Sequence, residues 1–224
     1  FALGLAMDCQ CPALFVTCEL APLELLRRMV ARSTGLYLGR MKNGDPSLSA
    51  EMLARNLGKT AQMAAGVVIL DASSVVASLE DVAQALVLAR SNPTAPSSDH
   101  ALIVLDSVHS WANSQPDDGE EYTRLTTALD DLDRLARGAG VPLIGIAERN
   151  RASRQGGQAS SAGSRRFEYA AESMMELDIE DPKAPPDAQG WKKVRLTVSK
   201  NRHGECGTVP LRWHGATQKH EGEG

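Results

Sequence analysis

Two aspartates stand at the ends of apolar runs that are typical of buried β-strands. The run Ala101–Asp106 ends in Asp106, and the run Val67–Asp71 ends in Asp71. Parallel strands present their carboxyl ends at the edge of the sheet where ligands bind. A carboxylate at that edge can hold Mg²⁺ through water, but a strand-end aspartate can equally be a helix cap or a turn former. The pattern alone therefore does not choose between Asp106 and Asp71.

A cluster of basic residues follows the apolar run Pro142–Ala147. From Arg149 to Phe167 the chain contains no aspartate or glutamate, although its net charge is −4. The arginines of this segment are Arg149, Arg151, Arg154, Arg165 and Arg166. Such a cationic loop suits sequence-independent contact with the phosphates of a single strand. Only Phe167 and Tyr169 are available to stack on bases, so a solvated basic loop is the alternative.

Short apolar runs alternate with segments of helical periodicity, which predicts an α/β fold whose strands are buried on both faces. The predicted strands are Ala13–Cys18, Val67–Asp71, Ala101–Asp106, Pro142–Ala147, Ser173–Leu177, Val194–Ser199 and Thr208–Trp213. The predicted helices are Pro22–Ser33, Leu48–Ala64, Leu79–Ala89 and Tyr122–Arg137. The last two strands are joined by Lys200–Gly207, which is short enough for an antiparallel hairpin.

The order of four motifs resembles the RecA superfamily of ATPases, and within it the C-terminal motor domain of DnaB-type hexameric replicative helicases. The motifs are Thr17-Cys18-Glu19-Leu20, the strand that ends in Asp106, the segment Glu148–Arg151 and the hairpin segment Lys200–Gly204. The resemblance implies a RecA-like fold over residues 1–213, with a twisted, mostly parallel sheet, helices on both faces and a C-terminal antiparallel hairpin. Residues 214–224 would then be a polar, frayed tail.

The resemblance also implies roles for individual residues. Glu19 would polarise the water that attacks the γ-phosphate of ATP, and Asp106 would hold Mg²⁺ through water as the Walker B aspartate. Lys200 and Arg202 would reach across a subunit boundary to the γ-phosphate of the neighbouring subunit. The arginine cluster would line a DNA channel. Glu148 departs from the family, because a nucleotide-sensing glutamine usually stands there and a carboxylate cannot donate its hydrogen bond.

Each of these roles has a structural alternative. Glu19 could be an acid that is stabilised by the dipole at the start of the next helix. Lys200 and Arg202 could be basic residues that keep an exposed hairpin from aggregating. Cys9 and Cys11 form a Cys-x-Cys pair, but this pair lacks the second ligand pair that a zinc site needs.

The sequence contains no phosphate-binding loop of the form Gly-x-x-x-x-Gly-Lys-Ser/Thr, the motif whose backbone amides and lysine hold phosphates. Gly58-Lys59-Thr60 does not qualify, because Leu53 stands at the position of the first glycine and the context is helical. In the family this loop precedes a helix that looks like Phe1–Ala6. We therefore expect a strand and a phosphate loop upstream of Phe1, and negligible ATP hydrolysis by the 224 residues alone.

Composition excludes several other classes of protein. The chain has 42% hydrophobic and 23% charged residues, as expected of a globular domain. No apolar run is long enough to cross a membrane, and four cysteines do not make a disulfide framework in a chain of this length, which favours the cytoplasm.

The resemblance implies a homohexameric ring that moves on single-stranded DNA during replication, with ATP as substrate, Mg²⁺ as cofactor and a primase or a loader as possible partner. One alternative is another RecA-superfamily ATPase, such as a plasmid replication helicase, a recombinase or a clock-type ATPase. The other is a non-catalytic DNA-binding or assembly module.

Overall fold

The computed structural model of the chain describes residues 1–116, 120–148 and 162–223, and for residues 162–165 it describes the backbone only. The helices are α1 (Ala2–Asp8), α2 (Pro22–Thr34), α3 (Leu38–Lys42), α4 (Ala50–Met63), α5 (Leu79–Arg90), α6 (Val108–Ser114), α7 (Glu121–Ala139) and α8 (Ala162–Ala170). The strands are β1 (Ala13–Thr17), β2 (Val67–Asp71), β3 (Leu102–Asp106), β4 (Leu143–Ile146), β5 (Ser173–Ile179), β6 (Trp191–Asn201), β7 (Gly207–His214) and β8 (Lys219–Gly222).

The chain divides into two compact units, and each is described by itself. The parallel-sheet unit comprises residues 2–24 and 64–170, and the antiparallel-sheet unit comprises residues 1, 25–63 and 171–224. Among the helices of the described ranges, none is both long and apolar enough to cross a membrane.

The parallel-sheet unit is built on four parallel strands in the order β2-β1-β3-β4. Thr17, the last residue of β1, lies opposite Asp71 of β2 on one side and opposite Asp106 of β3 on the other. The carboxyl ends of these three strands therefore meet at one edge of the sheet. Their positions confirm the strands that the apolar runs predict, with small shifts at the ends.

The two central strands are buried on both faces. All five residues of β1 are buried, and so are the first four of β3. Side chains alternate between the faces of a strand, and the core cluster on one face contains Leu14 and Val16 of β1 together with Trp111 of α6. Burial of their neighbours Ala13 and Phe15 shows that the opposite face is covered as well.

Local signals set the helix boundaries in this unit. Ser78 caps α5 through a capping box, in which its hydroxyl accepts from the Asp81 amide and the Asp81 carboxylate accepts from the Ser78 amide. Helix α7 ends at Gly140, which has φ 62° and ψ 41°, a left-handed conformation that favours glycine. The helix thus ends at the glycines after Arg137 as predicted, whereas the helices α3, α6 and α8 were not predicted. Helix α8 includes the last part of the predicted basic loop, which is therefore helical from Ala162 onward.

The antiparallel-sheet unit contains four strands in the order β5-β6-β7-β8. Strands β6 and β7 form the predicted hairpin, and β5 and β8 extend it on either side. The prediction of a frayed tail from His214 onward is wrong for Lys219–Gly222, because this segment pairs with β7 as β8. His214 and Thr217 are buried, and Thr217 donates a backbone hydrogen bond to the His214 ring. A short edge strand needs only backbone pairing, so a polar sequence does not reveal it.

Candidate active site

A turn that Thr17 closes at the end of β1 positions Glu19. The Thr17 side chain is fully buried, and its hydroxyl donates to the Leu20 carbonyl at 2.6 Å and accepts from the Leu20 amide at 3.1 Å. The amide of Cys18 donates to the carbonyl of Asp106 at 2.6 Å. These bonds hold the residues after β1 against the end of β3, at the carboxyl edge of the sheet.

Two hydroxyl groups from the start of α6 hold the Glu19 carboxylate. Ser107 and Ser110 both donate to Oε1 of Glu19, the second over 2.7 Å. Ser107 is also the N-cap of α6, where its hydroxyl accepts from the Ser110 amide at 3.3 Å. A single turn therefore caps α6 and fixes the carboxylate.

These hydrogen bonds keep Glu19 ionised. The pKa of its carboxyl group is lowered, first by the hydrogen bond from Ser107, next by the one from Ser110, and to a smaller extent by the charge of His109; partial burial acts in the opposite direction. Bonds donated to a carboxylate stabilise its charged form. At neutral pH the group is thus an acceptor that can orient water.

The neighbouring thiol of Cys18 is neutral at physiological pH. Burial raises its pKa to about 12, and the charges of Asp106 and Glu19 add to the effect. A thiol in this state is a poor nucleophile.

The two strand-end aspartates, which the apolar pattern leaves equivalent, have different surroundings in the structure. The carboxylate of Asp71 accepts from the amide and hydroxyl of Ser73, at 2.9 Å and 2.7 Å, and from the Ser74 hydroxyl. The Ser74 and Ser73 hydroxyl bonds are the main causes that lower its pKa to about 2. Asp71 is therefore a turn former, whereas Asp106 lies beside Glu19, which supports Asp106 as the metal-binding residue.

The oxygen donors at this edge fit a magnesium ion. Mg²⁺ prefers oxygen ligands, keeps several of its waters and binds through one or two carboxylates. The half-exposed Asp106 supplies such a carboxylate at the sheet edge and would hold the ion through water. The Ser107 hydroxyl is buried and already bonded to Glu19.

For the other predicted residues of the parallel-sheet unit, the structure describes no contact with Glu19 or Asp106. Glu148 follows β4, which is paired with β3, and its side chain is exposed. Arg149, Arg151 and Arg154 lie outside the described residues, and Arg165 lies in α8 without a described side chain. Arg166 forms an ion pair with Asp130 of α7. The assignments of these residues remain predictions.

Lys200 and Arg202 belong to the antiparallel-sheet unit, at the end of β6. The Lys200 ammonium donates to the Ala171 carbonyl at 2.7 Å, and the Arg202 amide donates to the Glu172 carbonyl at 3.0 Å. The Arg202 side chain is exposed. The Lys200 side chain and the Arg202 backbone therefore anchor this turn on both sides of Asn201, and Arg202 is exposed.

Sequence reasoning missed Ser107 and Ser110. The signal that could have found them is a serine directly after a strand-end aspartate, followed by a second serine three residues later, which is an N-cap pattern. Gly58-Lys59-Thr60 lies inside α4, where the Thr60 hydroxyl donates to the Asn56 carbonyl at 2.9 Å. This confirms that the segment is helical and is not a phosphate loop.

Known proteins share this fold. Residues 1–222 match the family model described as the DnaB-like helicase C terminal domain, and no curated protein matches. A solved ATPase domain has a TM-score of 0.79 and 16% identity, and the match covers 100% of this chain and 79% of that one.

Two further solved structures are similar. A DnaB-like replicative helicase, solved in a study of its interactions with primase, has a TM-score of 0.74 and 15% identity over 94% of this chain and 50% of that one. A KaiC-like protein from the hyperthermophilic archaeon Pyrococcus horikoshii has a TM-score of 0.60 and 16% identity over 100% of this chain and 81% of that one. At these identities the similarity is one of fold. The chain spans half the length of the DnaB-like helicase.

Proposed function

Because the chain belongs to the DnaB-like helicase C-terminal domain family and is a replicative helicase motor domain, we propose that it couples ATP hydrolysis at subunit interfaces to translocation on single-stranded DNA. The observation that carries this proposal is the Glu19 carboxylate, which two hydroxyls fix beside Asp106 at the carboxyl edge of a parallel sheet. That is the edge at which open α/β sheets bind their ligands.

Each residue at this edge has a separate role in ATP hydrolysis. Glu19 orients the attacking water and accepts its proton, as the water oxygen bonds to the γ-phosphorus and the bond to the β,γ-bridging oxygen breaks. Asp106 would hold Mg²⁺ through water. When bound, Mg²⁺ neutralises charge that develops on the phosphates. Glu148 follows β4 and would be the nucleotide sensor, but as a carboxylate it needs a proton or a cationic partner beside a phosphate.

Phosphate binding in this family requires a Gly-x-x-x-x-Gly-Lys-Ser/Thr loop, and the 224 residues do not contain one. The 224 residues by themselves are expected to bind ATP poorly and to hydrolyse it negligibly.

The hairpin supports catalysis between subunits. The anchored turn presents the exposed Arg202 outward, as is needed to reach the nucleotide of a neighbouring subunit. An arginine fork matches phosphate oxygens in two places at once. Lys200 and Arg202 thus act in trans in a homohexameric ring.

The proposed DNA surface is the arginine cluster, formed by Arg149, Arg151, Arg154, Arg165 and Arg166. Contacts with phosphates make affinity fall as salt rises. The interaction of the similar DnaB-like helicase with primase supports a primase, or alternatively a loader, as a partner of this chain in the cytoplasm.

The test is ATP turnover by the full-length protein with and without single-stranded DNA. Glu19→Gln is expected to lower kcat by about a hundredfold while a fluorescent ATP analogue still binds, and Asp106→Asn is expected to abolish turnover. Asp71→Asn is the matched control and should stay within about twofold of the unsubstituted protein.

Two outcomes would contradict the proposal. Undiminished turnover in Glu19→Gln would remove the water-orienting role. No turnover by the unsubstituted full-length protein would favour a non-catalytic DNA-binding or assembly module.

A further inference from the structure

The Glu19 carboxylate is held in an asymmetric way. Both hydroxyl donors, Ser107 and Ser110, reach the same oxygen, Oε1. Among the residues that the structure describes, none donates a hydrogen bond to Oε2. Among the described residues, the hydrogen bonds to this carboxylate thus all go to one of its two oxygens.

The hydroxyl donors lie at the start of α6, directly after β3, which pairs with β1. Glu19 follows β1, whereas Ser107 directly follows Asp106 at the end of β3. Thr17 and Asp106 lie opposite each other in the parallel pairing, and the Cys18 amide bonds the Asp106 carbonyl at 2.6 Å. The hydrogen bond from Ser107 therefore makes the orientation of the Glu19 carboxylate depend on the residue that directly follows Asp106.

The two serines differ in what else they do. Ser107 is only 2% exposed and caps α6, so its replacement also affects the helix. Ser110 lies one turn further on and is half-buried, and its hydroxyl is 2.7 Å from Glu19 and 3.2 Å from the Ser107 hydroxyl. Ser110 therefore offers the cleaner test.

We propose that Ser107 and Ser110 are positioning residues for hydrolysis, which fix Glu19 through Oε1 so that Oε2 is presented to the attacking water. This inference rests on the proposed ATP hydrolysis. The serines do not touch the reacting atoms, and their effect passes through the carboxylate. Loss of one hydroxyl lets the carboxylate rotate, so the chemical step slows while nucleotide binding is unchanged.

Steady-state ATP hydrolysis by the full-length protein tests this role. Ser110→Ala is expected to lower kcat about tenfold with KM for ATP within about twofold, and binding of a fluorescent ATP analogue should be unchanged. Ser110→Thr keeps the hydroxyl and should restore most of the turnover. Ser114→Ala is the matched control on α6, because the Ser114 hydroxyl bonds the Trp111 carbonyl instead.

The outcomes distinguish this inference from the proposed function. Normal turnover in Ser110→Ala, or equal losses in Ser110→Ala and Ser110→Thr, would overturn the positioning role and leave ATP hydrolysis standing. A rise in KM with kcat unchanged would also overturn it, since Ser110 would then act in binding. No turnover by the unsubstituted protein would overturn both.

Discussion

The carboxylate of Glu19 and the hydroxyl of Ser110 lie 2.7 Å apart, although 91 positions separate them in the chain. The parallel pairing of β1 with β3 produces this proximity, because it brings the loops after both strands to one edge. The contact between Glu19 and Ser110 thus depends on the pairing of β1 with β3. Substitutions that loosen the loop after either strand should weaken it.

The first prediction concerns the turn that carries Glu19. Thr17→Val keeps the shape of the buried side chain but removes the hydroxyl that bonds the backbone amide and carbonyl of Leu20. We expect a loss of about 1–3 kcal/mol in the free energy of unfolding, because these groups lose a buried partner, and a lower kcat. Urea unfolding and ATP turnover measure the two effects.

Thr17→Ser is the matched control, because it retains the hydroxyl. It should keep most of the turnover. If Thr17→Val were as stable and as active as the unsubstituted protein, the turn would not position Glu19.

The second prediction concerns catalysis between subunits. Arg202→Ala should abolish ATP hydrolysis by the full-length protein while sparing nucleotide binding, because the side chain serves the site of a neighbour. Mixing Arg202→Ala subunits with Glu19→Gln subunits should restore activity. In randomly mixed rings, roughly a quarter of the interfaces combine an intact Glu19 with an intact Arg202.

Arg195→Ala provides a control on the same strand, since Arg195 lies 3.4 Å from Glu180 within the antiparallel sheet. This variant should hydrolyse ATP normally. Mixed rings that show no activity above the separate variants would argue that Arg202 acts within its own subunit.

The third prediction concerns the ion pair between Arg166 and Asp130. If Arg166 contacts DNA phosphates, it must exchange Asp130 for them. Asp130→Asn should then tighten binding of single-stranded DNA, and Arg166→Ala should weaken it and make its salt dependence shallower. Fluorescence anisotropy with a labelled oligonucleotide at several salt concentrations measures both effects.

Asp133→Asn removes the same charge from the same helix and is the control. Asp133 pairs with Arg137 at 2.8 Å instead. The increase in DNA affinity that comes from the lower negative charge should appear in both variants, and the additional increase from releasing Arg166 should appear only in Asp130→Asn. Equal affinities of these two variants would count against a DNA contact by Arg166.

The fourth prediction concerns His220 in β8, whose ring stacks near Trp213 at 6.2 Å and meets the Phe1 ring edge-on at 5.5 Å. Burial lowers its pKa to about 4, and the charge of Arg32 adds to this. Above pH 6.5 the ring is neutral in both the folded and the unfolded state. Between pH 6.5 and 4 the His220 ring binds a proton in the unfolded state but stays neutral in the folded state. The free energy of unfolding therefore falls as the pH falls.

His220→Phe keeps an aromatic ring and removes the titration. We expect the unsubstituted protein to lose about 1 kcal/mol more than this variant between pH 7 and pH 4, after allowance for screening at a half-buried site. Urea unfolding at several pH values measures the difference. The same pH dependence in both proteins would show that His220 contributes nothing to it, and His100→Gln in an exposed loop serves as the control.

The sequence by itself determined the strands of the parallel sheet and the acidic residues at their ends. Continuous apolar runs such as Leu102–Leu105 can only be strands or helices that are buried on all sides, and their length decides for strands. The hairpin of β6 and β7 and the end of α7 at Gly140 were predictable because turns and helix ends depend on local residues.

The resemblance favoured Asp106 over Asp71, and only the tertiary structure showed that Ser73 and Ser74 hold Asp71 in a turn. It also revealed the hydroxyls of Ser107 and Ser110 on Glu19, the strand β8 within a polar tail, and the ion pair of Arg166 with Asp130. These features depend on which loops and edges meet after the strands pair. Hydrophobic periodicity records which face of an element is buried, but it does not record which polar side chain stands opposite which, because that follows from the register of residues far apart in the chain.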